Sequence, residues 1–119
     1  MRRLAIGLTL AVVAASTAAF AYGGGHPGSF RLDDASAACR VESNRLVCAS
    51  LGLRSGVALA GRGAPHAASG RVWWDASTPV LHEWTRDSIR CSERLGAIEC
   101  RNADGATVTV DGARIDVSS

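Results

Sequence analysis

Two kinds of apolar pattern divide the chain. Leu4 to Ala15 is an apolar run without a charge, continued by an Ala-rich end at Ala19-Phe20-Ala21, whereas from Phe30 onward apolar and polar residues alternate in short stretches. Alternation with a period of two puts successive side chains on opposite faces of a strand, so the second region is predicted to be β-structure with one face buried.

The alternation is clearest around the cysteines. Val41 and Leu46 share a face with Cys39 and Cys48, while Arg40, Glu42 and Arg45 point the other way and Val47 breaks the pattern. Ile89 and Ile98 lie with Cys91 and Cys100, Ser88, Arg90, Arg94 and Glu99 lie opposite, and Glu93 is the exception. Both pairs are nine residues apart, and the second repeats the first at an offset of 52. Folding each interval at its midpoint puts turns at Ser43-Asn44 and Leu95-Gly96. Asn44 and Gly96, residue types that readily take positive φ, then hold equivalent places.

Counting outward from a two-residue turn also places each cysteine pair at a non-hydrogen-bonded site, where opposing Cα atoms approach closely enough for a cross-strand disulfide. Each Cys-x8-Cys unit is therefore predicted to be a β-hairpin closed by Cys39–Cys48 or Cys91–Cys100. Around Glu93 a bulge or a longer turn over Arg94 to Gly96 stays open. Bonds from Cys39 or Cys48 to the later hairpin are the competing connectivity. Zinc on four thiolates is disfavoured, because structural zinc usually takes cysteines two to four residues apart.

A further hairpin is signalled by Asp111-Gly112 between Thr107 to Val110 and Ala113 to Val117. Centring on that turn sets Val108 opposite Ile115 and Val110 opposite Ala113. Val57 to Gly61 is its weaker counterpart in the first half. Arg62 to Gly70 has no apolar periodicity and is predicted to be an exposed loop. Arg71 to Trp74 reads as a strand stopped by Asp75 to Pro79, and Val80 to Trp84 as a helical turn or an irregular connection. Because Trp73 and Trp74 are adjacent in a predicted strand, their side chains must diverge, one inward and one toward Trp84, a loop or a ligand.

The opening run changes where this domain is expected to work. Arg2 and Arg3, the apolar run and the small residues at Ala19 and Ala21 have the form of a secretory signal cleaved after Ala21. A retained anchor is the alternative, since Leu4 to Ala21 is 18 residues. Tyr22 to Ser29 follows as a leader with Tyr22 as its one anchoring side chain. All 13 basic residues of the 119 are arginine, and two of them lie in the signal, leaving 11 against 11 acids. A neutral domain without a basic run gives no footprint for nucleic acid or for an anionic membrane surface. Export favours disulfides over free thiols.

Candidate chemistry is sparse. His26, His66 and His82 fall in leader or loop, and no nucleophile elbow, zinc-protease helix or phosphate loop occurs. His82 and Glu83 would diverge in an extended segment. No catalytic residue, metal ligand or cofactor is assigned, and the domain is not expected to be an enzyme. Gly24-Gly25-His26 would hold copper(II) or nickel(II) only if processing exposed the amine of Gly24.

The stretch Ser88-Ile89-Arg90-Cys91, Gly96-Ala97-Ile98-Glu99-Cys100-Arg101-Asn102 and Asp104-Gly105 to Val117 resembles small exported actinobacterial two-disulfide domains of unknown function, best over residues 79–117. The resemblance implies secretion, disulfides and a β-rich fold, and it supplies no catalytic residue.

The chain is thus expected to hold a signal over 1–21, a leader over 22–29 and a single all-β domain over 30–117, built of two disulfide-stapled hairpin halves. Its expected role is non-catalytic binding of a protein partner in the cell envelope or medium, with Trp73, Trp74 and Trp84 as the candidate surface. The alternative is a wall-polysaccharide binder or weak hydrolase using Trp73 and Trp74 with Asp75 or Glu83.

Overall fold

A computed structural model describes residues 28–119; the expected signal, the leader through Pro27 and the Gly24-Gly25-His26 motif lie outside them. Ten strands follow in chain order: β1 (Ser29–Arg31), β2 (Ala37–Glu42), β3 (Arg45–Ser50), β4 (Ser55–Ala60), β5 (His66–Ala68), β6 (Glu83–Arg86), β7 (Ile89–Arg94), β8 (Ala97–Arg101), β9 (Thr107–Val110) and β10 (Ile115–Ser118). Strands β1 to β5 form one antiparallel sheet and β6 to β10 a second, and in both the neighbours in sequence are the neighbours in space. The protein is all-β, and among the described residues no helix is long and apolar enough to cross a membrane.

Both cysteine hairpins close as the spacing predicts. Cys39 faces Cys48 on β2 and β3, Cys91 faces Cys100 on β7 and β8, and each pair is a disulfide with Cα atoms 4.0 and 4.1 Å apart. Those separations belong to the close, non-hydrogen-bonded class of antiparallel site. Each bond closes a short loop, for which chain entropy implies roughly 2–3 kcal/mol of stabilisation.

The repeat runs deeper than the cysteines. Strand β7 is β2 displaced by 52 residues. The two buried polar side chains among the described residues, Ser50 and Asn102, are also 52 apart, each where its second cysteine strand ends. The Ser50 hydroxyl accepts from the Leu53 amide at 3.3 Å. Asn102 Oδ1 accepts from the amides of Asp104 and Ala106, both at 3.0 Å. The offset then shortens by one: Cys48 faces Val57, but Cys100 faces Val108, because the second turn has one residue fewer.

The inner faces of the two sheets pack on each other. Phe30 lies opposite Cys39 and Trp84 opposite Cys91, so the two rings hold matching places, and they meet with centroids 5.3 Å apart. Leu46, Leu59, Ile98, Val108 and Val110 are fully buried beside them. A domain this poor in aromatics closes its core by setting one ring from each half against the other.

Several local expectations are corrected. Ser43 rather than Asn44 takes positive φ (57°), matching Leu95 at 55°, and only the second turn adds a glycine, Gly96 at 78°. No bulge forms at Glu93: it faces Ile98, and its carboxylate accepts the Gly96 amide at 2.7 Å, which gives an inward acid a partner at the tip. Within the expected loop 62–70, His66–Ala68 pairs as an edge strand with β4, too short to show a period. Arg71 to Trp74 is not a strand but part of an irregular connector, and Val80 makes a single parallel bridge to Arg31 before β6 begins at Glu83. The first described strand begins at Ser29 and the last ends at Ser118.

The last hairpin forms with a shifted register. Val108 faces Val117 and Val110 faces Ile115, leaving Asp111 to Arg114 as a four-residue loop. Asp111 Oδ1 accepts the Ala113 amide at 2.8 Å, and Gly112 does not take positive φ. Gly112 serves close approach instead: its carbonyl accepts the Gly52 amide at 2.9 Å, and a Cβ on it would come within 2.7 Å of Ser36 Cβ. A Cβ on Gly52 would collide with the Gly112 carbonyl, so these two glycines let a turn of one sheet seat on a turn of the other.

Candidate binding crevice

The connector packs on the outer face of the first sheet. Trp74 lies against Ala38 and Ala49 on the outer face of the first sheet, and its Nε1 donates to the Ala35 carbonyl at 2.8 Å. Ala38, Val47, Ala49 and Ala58 are all buried on that face, while Arg40 and Glu42 on it stay partly exposed, so it is covered in part and not wholly wet. Small residues at these positions leave room for the indole. Trp73 stands edge-on to Trp74 with centroids 5.4 Å apart, and the Arg40 guanidinium lies 5.1 Å from the Trp73 ring centre while pairing with Glu42 at 2.7 Å.

The three tryptophans therefore do not form one surface. Trp84 is in the core between the sheets, Trp74 is buried on the other side of the first sheet, and only Trp73 is half-buried, under an arginine. Asp75 caps its own turn, with Oδ1 accepting from Ser77 Oγ at 2.6 Å and the Ser77 amide at 2.8 Å. These bonds hold its carboxyl below the ordinary value of 3.8. Glu83 opens β6 in the second sheet and lines a shallow polar face with Arg90 and Arg101, without Asp75 or either adjacent tryptophan. His66 is on edge strand β5, and His82 is exposed beside Glu83.

Two concave sites lie at the ends of the sandwich, where a hairpin tip of one sheet meets a turn or connector of the other. At one end the β2–β3 tip and the β6–β7 turn enclose a crevice of about 110 Å³. Its apolar walls are Val41, Leu46, Trp84 and Ile89, and its rim carries Arg45, Arg86, Asp87, Ser43 and Asn44. Neither the Arg45 nor the Arg86 side chain makes an ion pair or hydrogen bond among the described residues. The other end repeats the arrangement with different chemistry: the β7–β8 tip supplies Glu93 and Gly96 against Leu32, Asp33, Asp34, Leu81 and His82. Glu93 stands there 52 residues after Val41, so one mouth is apolar with two arginines and Asp87 at its rim and the other carries Glu93, Asp33 and Asp34.

Two acids of the acidic mouth are committed to their own turns. Glu93 accepts the Gly96 amide, and Asp34 accepts the Ser36 amide at 2.9 Å; hydrogen bonds from Ser36 lower the Asp34 carboxyl below its ordinary value. The apolar mouth joins walls that exclude water to charges that have no partner, the combination that retains a small amphiphilic group. Arg45 opens β3 and Arg86 ends β6, strand ends of opposite sheets, and nothing in the alternation marks either as part of a site. Only the sheet-on-sheet packing brings them to one rim.

No protein-family model matches the chain, and no curated protein or solved structure is significantly similar to it.

Proposed function

We propose that the chain is an exported, non-catalytic binding module, and that the crevice between the β2–β3 tip and the β6–β7 turn receives an apolar side chain from an acidic segment of a protein partner in the envelope or medium. The signal-like opening and the two disulfides support export into an oxidising compartment. One observation carries the binding reading: Val41, Leu46, Trp84 and Ile89 form an apolar floor beneath two arginines that lack partners. A crevice of about 110 Å³ suits one aliphatic side chain, and a carboxylate on either side of it would meet Arg45 or Arg86. The polysaccharide reading has less support, since the face of Trp73 is taken by Arg40, which pairs with Glu42.

The test is an NMR titration of the mature chain with a short peptide carrying one leucine between aspartates. Saturable shifts are expected at Val41, Leu46, Ile89 and the Trp84 indole, weakening as salt is raised. Val41→Glu should fold, because the other half carries Glu93 at the matching position, and should bind about tenfold or more weakly, since one lost charge-complementary apolar contact is worth about 1.4 kcal/mol or more. Shifts that avoid the crevice, or equal binding by Val41→Glu, would reject the assignment.

A further inference from the structure

The two disulfides meet in the core. The Sγ atoms of Cys39, Cys48 and Cys100 all lie within 4.8 Å of one another, and the Cys91 sulfur is one bond from that of Cys100. Strands β2 and β3 bring one pair and β7 and β8 the other, and all four residues are buried among apolar side chains. Tetrahedral zinc holds thiolates at about 2.3 Å, which sets the sulfurs roughly 3.8 Å apart. The Cys100 sulfur thus stands no more than about an ångström beyond that separation from both Cys39 and Cys48, which are bonded to each other and part once reduced.

We propose that the reduced chain binds one divalent d10 ion, zinc or cadmium, in its core through Cys39, Cys48 and Cys100, with Cys91 at the fourth position. The eight-residue spacing that argues against a zinc knuckle does not apply, because each pair is supplied by opposite positions on adjacent strands. The sulfurs converge through sheet packing, not through a tight loop. A divalent ion on four thiolates leaves two net negative charges and a monovalent ion leaves three, so the apolar surroundings select the divalent ion. A disulfide ties neighbouring strands within a sheet, whereas the ion ties sheet to sheet.

The chemistry balances with a dithiol as reductant. Each equivalent delivers two electrons and two protons to one disulfide, yields two protein thiols and leaves as its own disulfide, so two equivalents give the tetrathiol. The ion then displaces one proton from each thiol that binds it as thiolate.

To test this, the mature chain is reduced with a dithiol, freed of it without oxygen, and titrated with cobalt(II) as a coloured stand-in for zinc. A thiolate-to-cobalt charge-transfer band and the visible bands of a tetrahedral ion should saturate at one ion per chain, zinc should bleach them, and the β-type circular dichroism lost on reduction should return with the ion. Loss of even an outer-shell partner lowers metal affinity about 10–100-fold. Cys100→Ser, which removes a sulfur from the central three, should therefore weaken binding at least that much, and more than Cys91→Ser. A reduced chain that takes up no cobalt at one equivalent, takes it up without regaining β signal, or loses as much affinity in Cys91→Ser as in Cys100→Ser, would overturn the proposal.

Discussion

Asn102 uses all four of its hydrogen-bonding positions. Besides the two amides held by Oδ1, its Nδ2 donates to the carbonyls of Ala60 at 3.0 Å and Gly63 at 2.8 Å, joining the end of β4 in one sheet to the β8–β9 turn of the other. Asn102→Ala would strand partners on both sides of that junction, and each buried unsatisfied group costs about 1–3 kcal/mol. A loss of roughly 2–4 kcal/mol is expected in urea unfolding, against about 1 kcal/mol for Ser50→Ala, whose hydroxyl accepts a single long bond. Equal losses would show that the junction is not held by Asn102. Asp75 offers a pH test of the connector. Its carboxyl is lowered by hydrogen bonds from Ser77, so the turn's contribution is complete above 3.8 and is lost as pH falls through the lower folded value. Following the Asp75 carboxyl by NMR should give a midpoint below that of the denatured chain; a midpoint at or above it would remove the cap.

The strands that alternation reveals are those with a second, independent marker. The cysteine hairpins carry both an inward apolar set and a turn at the midpoint of a fixed interval, and they form in the expected register. Asp111-Gly112 announces a hairpin correctly but misplaces its pairing by two residues: Asp111 caps a longer loop, and Gly112 is needed against Gly52 and Ser36. Edge strands of three and four residues, β5 and β6, carry too few positions for a period to be seen. The apparent strand at Arg71 to Trp74 is apolar because it covers a sheet, not because it belongs to one. The crevice is hidden for a related reason, since its walls join residues 41–46 to residues 84–89 and depend on how the sheets pack. Pairing also exposes a cost on the outer face of the second sheet, where Arg90 lies directly across from Arg101. Arg90→Glu would turn a like pair into an opposite one, and a rise of about 0.2–1 kcal/mol in stability is expected. An unchanged or lower melting temperature would show that solvent screens the pair fully.

Each half is a complete five-stranded meander with its own disulfide, yet neither has a complete core. The inner face of the first sheet exposes Phe30, Leu46 and Leu59 unless the second sheet covers it, and Trp84, Ile98 and Val108 depend on the first in the same way. A single small sheet with one uncovered apolar face is marginal in water, and a fragment near 40 residues ordinarily needs more than one disulfide to fold. Separate chains spanning 28–70 and 71–119, each with its disulfide intact, should therefore show no cooperative unfolding alone. Mixed, they should recover a cooperative transition and the near-ultraviolet signal of a packed Trp84, because the joining surfaces are already cut to one another by the Phe30–Trp84 contact and the Gly52–Gly112 bond. A cooperative transition in either fragment alone would mean that the halves are domains in their own right, and the sheet-to-sheet core would then be an interface between two folded units.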